Sequence, residues 1–127
     1  MRVSERCRHV LVTTVAEETL LGAATRMSWY RIGALPVYRR HRLIGIVTER
    51  DIIAALADGA DPATTKVAQY MTDKPVAIRP DEDLEVAARR MAELGVRHLP
   101  VLDGDRLLGV LSIRDLLAPA ATPAAAG

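Results

Sequence analysis

The sequence predicts a mixed α/β fold (α+β) of two β-α-β-β-α repeats packed sheet to sheet about a pseudo-two-fold axis. Three observations predict it. Residues 3–54 align with residues 67–118 without a gap, at an offset of 64, and 17 of the 52 pairs are identical. Each copy alternates short apolar runs with one helix-period stretch and closes on the same phrase: Gly45-Ile46-Val47-Thr48-Glu49-Arg50-Asp51, then Gly109-Val110-Leu111-Ser112-Ile113-Arg114-Asp115. A unit this small cannot cover both faces of its own sheet, so two copies are expected to share a core.

In the first copy, residues 1–60, Val10-Leu11-Val12 reads as a short extended run. Glu17-Glu18 suit a helix N-terminus, and Leu20, Ala23, Ala24 and Met27 follow at helical spacing. Residues 34–38 form the next strand, Arg39-Arg40-His41 the turn, and residues 43–47 the return strand of a hairpin. A helix over residues 49–57 ends at Asp58-Gly59. Thr65 is placed to cap a short helix reaching Tyr70, which leads into the second copy, residues 61–118. There Val76-Ala77-Ile78 is the strand, Pro80-Asp81 the helix start, Leu84, Ala87, Ala88, Met91 and Leu94 the buried stripe, and Gly95 the stop. Strands over 98–102 and 107–111 flank the hairpin signal Asp103-Gly104, and a helix over 113–118 closes the copy. Residues 119–127, made only of Pro, Ala, Thr and Gly, read as a disordered tail.

Lys plus Arg number 17 against 16 Asp plus Glu, so no global charge draws the chain to nucleic acid or an anionic membrane. No apolar run approaches a membrane span, and Met1-Arg2-Val3-Ser4-Glu5-Arg6 lacks a signal-peptide core, which reads as a cytoplasmic protein. Cys7, the single cysteine, excludes an internal disulfide and suits a small apolar core position. Met27 and Met91 lie on the apolar helix stripes and read as core. With no Phe and one Trp, a bound base would meet aliphatic side chains rather than an aromatic stack.

The repeated phrase is where chemistry concentrates. A hydroxyl (Thr48, Ser112) stands three residues before a carboxylate (Asp51, Asp115) at an expected helix start, where free N–H groups and the dipole favour an anionic group. An ionised carboxylate only accepts hydrogen bonds, and a vicinal diol such as ribose offers two donors. The residues alone leave open a second reading, in which each Asp merely satisfies the first turn of its own helix. His98 likewise reads either as a ligand contact or as a satisfied edge histidine, and Arg50 and Arg114 as exposed or inter-subunit partners. His9 and His41 have no acid or Cys at ligand spacing, so no metal site is expected.

The order strand, helix, Leu-Pro-Val (residues 35–37 and 99–101), hairpin and Gly-to-Asp phrase resembles the cystathionine-β-synthase (CBS) domain. Two in tandem resemble a Bateman module, and the whole looks like the stand-alone bacterial two-domain proteins of the hypoxic-response type. That resemblance implies a regulatory site for AMP, ADP, ATP or S-adenosylmethionine, no enzyme activity, no required cofactor, a homodimer and an unidentified effector protein. It also implies composite clefts, one joining Thr48 and Asp51 to Thr72, Pro75, Val76, Val96, Arg97 and His98. The other joins Ser112 and Asp115 to Arg8, Leu11, Val12, Ile32, Gly33 and Ala34. Arg97 and His98 stand where similar modules hold phosphate, so the Asp51 cleft is expected to prefer phosphorylated ligands, and the Asp115 cleft to bind weakly or take an uncharged nucleoside. The copies also diverge. Trp29-Tyr30-Arg31 replaces Glu93-Leu94-Gly95, which reads as either a partner-facing patch or a local packing change; Cys7 stands for Met71, Ala16 for Pro80, and Arg39-Arg40-His41 for Asp103-Gly104-Asp105, which reads as drift of the first copy.

Overall fold

The computed structural model describes residues 1–7 and 11–117. It is a mixed α+β structure of ten strands and helices plus two 3-10 turns among those residues. Two compact units result, and they are not the two repeats: residues 11–76 form one, and residues 1–7 with 77–117 form the other.

In the first of these, β1 (Thr14–Val15) runs parallel to β2 (Ala34–Arg39), β2 pairs antiparallel with β3 (Arg42–Thr48), and β3 with β4 (Thr72–Asp73). Helix α1 (Leu20–Tyr30) buries Leu20, Ala23 and Met27 against Leu35, Val37 and Val47, and α2 (Glu49–Ala57) adds Ala55. In the second unit α3 (Leu84–Leu94) buries Ala87 and Met91 against the hairpin of β5 (His98–Asp103) and β6 (Arg106–Ser112), and α4 (Ile113–Leu117) follows. Cys7 is buried in that core, as expected of a small apolar side chain. Burial also holds its thiol above the usual range, with the Asp115 charge acting in the same direction.

The opening turn of each repeat docks on the other repeat. Val3 N–H donates to Glu82 O (2.9 Å), Ser4 N–H to Pro80 O (2.9 Å), and Leu84 N–H to Met1 O (2.9 Å). Sixty-four residues along, Val67 N–H donates to Glu18 O (2.8 Å) and Ala68 N–H to Ala16 O (3.1 Å), while Leu20 N–H donates to Thr65 O (2.9 Å). Val3 and Val67 are both fully buried by this exchange.

Several expected elements shift. Val10 and Arg8 lie outside the described residues; Leu11 and Val12 are not in a strand, and pairing begins at Thr14, whose buried hydroxyl donates to Glu18 Oε1 (2.8 Å). Of residues 76–78 only Ile78 pairs, through one parallel bridge to Val101, the counterpart of Thr14 on Val37. Helix α1 starts at Leu20 with Thr19 accepting from Gly22 N–H (3.1 Å), and α3 at Leu84 with Asp83 as its N-cap residue. The acids Glu18 and Glu82 are used instead to bind side chains and turns ahead of these helices. Thr65 is not the cap of the turn at Val67–Gln69, whose N-cap is Lys66, with Lys66 N–H donating to Gln69 Oε1 (2.8 Å). Ala88 and Leu94, expected on the buried stripe, are exposed, and so is Tyr30 at the position of α1 that matches Leu94. Ala118 and the tail 119–127 lie outside the described residues.

The hairpins, α2 and the Gly95 stop (φ 67°) fall where expected, to within a residue or so. Arg31 ends α1 in the same left-handed conformation (φ 55°) without the benefit of being Gly. No helix among the described residues is long and apolar enough to cross a membrane.

Candidate functional site

Thr48 is the last residue of β3 and the N-cap of α2, so the strand delivers its side chain to the helix start. Its N–H donates to Asp51 Oδ2 (2.8 Å), its hydroxyl donates to the same oxygen (3.1 Å), and Asp51 N–H donates back to Oγ1 (3.4 Å). This is a capping box with Asp in the third position. Both bonds to the carboxylate fall on Oδ2, and Oδ1 has no hydrogen bond among the described residues. Burial pushes the Asp51 carboxyl above its ordinary range, with the Thr48 N–H and hydroxyl pulling the other way.

The second phrase is related but looser. Ser112 N–H donates to Asp115 Oδ2 (2.7 Å), while Ser112 Oγ accepts from Arg114 N–H (3.2 Å) instead of meeting the carboxylate. Arg6 Nη1 donates to the Asp115 carbonyl (3.2 Å), so the N-terminal segment also braces this helix start.

Backbone register decides which candidates surround each pair. Ala34 is opposite Thr48, and Gly33 O accepts from Glu49 N–H (3.0 Å), fixing Ile32-Gly33-Ala34 beside the first pair. Thr72 in β4 is opposite Ile46 in the same sheet, with Pro75 half-buried and Val76 exposed beyond it. Leu11 is exposed and Val12 packs against the core of this same unit. In the other unit His98 is opposite Ser112, and Arg97 O accepts from Ile113 N–H (2.8 Å), so Val96-Arg97-His98 adjoins the second pair. Along the backbone, then, Arg97-His98 neighbour Asp115 and Gly33-Ala34 neighbour Asp51. Arg8 lies outside the described residues.

Sequence reasoning missed a strut that occurs twice. Arg26 Nη1 donates to Thr13 O (2.7 Å) while Nη2 meets Glu18 (3.4 Å); Arg90 Nη1 donates to Ala77 O (3.3 Å) while gripping both oxygens of Glu82 (3.3 Å each). Each arginine thereby ties down the chain directly after Val12 or Val76. The signal was present, because Glu18/Glu82 and Arg26/Arg90 are identical pairs at the repeat offset. Arg26→Met and Arg90→Met are each expected to lower unfolding free energy by about 1 kcal/mol in denaturant titration, since the ion pairs are partly solvated. No change in either would reduce the strut to surface decoration.

A hydroxyl-x-x-Asp helix start, present twice on strand-helix junctions that follow a Leu-Pro-Val strand, defines a pair of CBS domains. The CBS domain family model matches residues 3–58 and 67–120, and the chain belongs to that family as a regulatory CBS pair. Hypoxic response protein 1 of Mycobacterium tuberculosis is 37% identical over 108 residues, 83% of this chain and 76% of that protein. A crystal structure of Hypoxic Response Protein I with two coordinated zinc ions superposes with a TM-score of 0.78 at 29% identity, covering 92% of this chain and 97% of that one. Among the described residues here, no three His, Cys, Asp or Glu side chains are grouped to hold a metal. A CBS-domain protein from Burkholderia ambifaria is 34% identical with a TM-score of 0.83, covering 86% of this chain and 81% of that one. The CBS pair of protein MJ0100, in complex with 5′-methylthioadenosine and S-adenosyl-L-methionine, shares the fold at 24% identity and a TM-score of 0.85, over 92% and 93% of the two chains.

Proposed function

We propose that this CBS pair senses an adenosyl compound, AMP, ADP, ATP or S-adenosylmethionine, and as a homodimer changes its affinity for an effector protein when the ligand binds. The observation that carries this is the Asp51 carboxylate. One of its oxygens closes the capping box, and the other, in a partly desolvated position, has an acceptor's capacity to spare. A ribose diol supplies the donors such an oxygen needs. The same fold accommodates adenosyl compounds in MJ0100. Leu21, Ile53 and Leu56 on α1 and α2 each expose half or more of their surface, which supports burial against a second copy.

Because burial raises the Asp51 carboxyl, the native state holds that proton more tightly than the unfolded chain does. The stability this contributes is present below the ordinary Asp pKa and is lost as pH rises through the raised native value. Donors from a diol favour the ionised form, so ligand affinity should grow as pH rises through the same value.

The rival reading is a ligand-free dimeric scaffold. The capping box favours it, since Thr48 and Asp51 already have a structural use. Thermal midpoints against AMP, ADP, ATP, S-adenosylmethionine, GTP and NADH, with Asp51→Ala and Asp115→Ala beside the parent, separate the two. A ligand at 100 times its Kd adds about 2.7 kcal/mol to native stability. The sensing reading expects a rise with an adenosyl compound that one Asp variant loses; no rise with any compound at millimolar concentration leaves the scaffold.

A further inference from the structure

The two hairpins are equivalent in register and differ in charge at their tips, with three arginines at one (Arg39, Arg40, Arg42) and two aspartates beside a single arginine at the other (Asp103, Asp105, Arg106). Between β2 and β3, Arg39 pairs with Arg42 across the two-residue turn Arg40-His41; between β5 and β6, Asp103 pairs with Arg106 across Gly104-Asp105. Arg39 is partly engaged by Glu17 (3.5 Å). The side chains of Arg40, His41 and Arg42 at one tip, and of Asp103 and Asp105 at the other, are exposed and make no hydrogen bond or ion pair among the described residues.

The basic tip is held against local preference. Arg40 and His41 both adopt left-handed backbone (φ 49° and 65°), in a turn whose favoured residues are Asn-Gly or Asp-Gly. The acidic tip takes the easier route, with Gly104 at φ 61°. The backbone strain at Arg40 and His41 thus accompanies a tip that carries three arginines, Arg39, Arg40 and Arg42.

We propose that the basic tip docks on the acidic tip of a second copy of this chain. The complementary surface is present in the chain itself, and in a two-fold dimer any such contact occurs twice. Exposed charges of this kind contribute mainly to orientation and encounter rate, so the tips select how two copies meet. The inference rests on the homodimer reading above.

Sedimentation equilibrium of the full chain at low and high salt tests it. Arg40→Asp/Arg42→Asp, which makes both tips acidic, and Asp103→Arg/Asp105→Arg, which makes both basic, are each expected to weaken self-association about tenfold at low salt and little at high salt. Combining all four substitutions in one chain restores it, and so does mixing the two variants, now as a heterodimer. Arg40→Asn/His41→Gly guards against a trivial folding defect: it should raise the thermal midpoint by relaxing the turn while it weakens association. Tip variants that dimerise as the parent does overturn the proposal and leave the homodimer reading standing. If Arg40→Asp/Arg42→Asp dimerises normally but loses binding to a poly-glutamate peptide, the tip belongs to an acidic partner and the proposal also fails. A chain that is monomeric at every salt and concentration overturns both readings.

Discussion

Val3→Asp is expected to destabilise the unit of residues 77–117 by about 3–5 kcal/mol, although residue 3 opens the other repeat. Val3 has no exposed surface, and it packs in one core with Ile78, Ala87, Leu99 and Val101. A carboxylate there loses the burial of the Val side chain and enters an apolar site without a partner. Val67→Asp is the mirror experiment, because Val67 is buried among Leu20, Leu35 and Val47. Hydrogen exchange should show β5, β6 and α3 losing protection first in Val3→Asp, and β2, β3 and α1 first in Val67→Asp. If the loss instead followed repeat membership, the exchange of opening segments would be wrong.

Gly45→Ala should cost about 1–3 kcal/mol and blunt any ligand response. A Cβ on Gly45 would lie 2.7 Å from Met71 Sδ and 2.8 Å from the Thr72 backbone carbonyl. The methionine can swing away. The carbonyl cannot, because Gly45 and Ile46 pair with Asp73 and Thr72 in the β3–β4 ladder. Relief therefore requires β4 to leave the sheet, which displaces the chain leading to Pro75 and Val76. The double variant Gly45→Ala/Met71→Ala distinguishes the two contacts: recovered stability would place the clash on the sulfur and exonerate the backbone. Gly59→Ala is a useful contrast, since nothing lies within 4 Å of its Cβ and only its φ of 79° opposes the change, at about 1 kcal/mol.

Both effects arise where the chain crosses between repeats, and that is where sequence reasoning was weakest. The hairpins were legible because their signals are adjacent: Leu-Pro-Val, a short turn, and a return strand that carries Gly45 or Gly109. Helix α2 was legible for the same reason, with Thr48 and Asp51 three residues apart. Helix starts were less so. Paired acids suit a helix N-terminus in general, but Glu18 and Glu82 bind Arg26 and Arg90, eight residues on, and the backbone turns once more before α1 and α3 begin. The strut itself needs a carbonyl thirteen residues before the arginine, a distance that no helical or strand period marks.

The candidate site divides along the same line. Its hydroxyl–Asp pairs could be named from spacing, and the structure shows what spacing could not: only one Asp51 oxygen is spent on the cap, and Ser112 uses its hydroxyl differently from Thr48. The neighbours of each pair came from register across the hairpins, which places Gly33-Ala34 by Asp51 and Arg97-His98 by Asp115.

By itself the sequence determined the duplication, the hairpins, the helix that follows each Gly-to-Asp phrase, and the residues at that helix start. These depend on turn conformations and on contacts within a few residues, which neighbouring side chains encode. Tertiary structure alone decided which core each opening segment enters. The two repeats offer nearly the same docking surface, with Glu18 and Glu82 carbonyls in equivalent positions, so the pattern of apolar residues fits either. Only non-local packing, which buries Val3 with Leu99 and Val67 with Leu35, breaks that degeneracy.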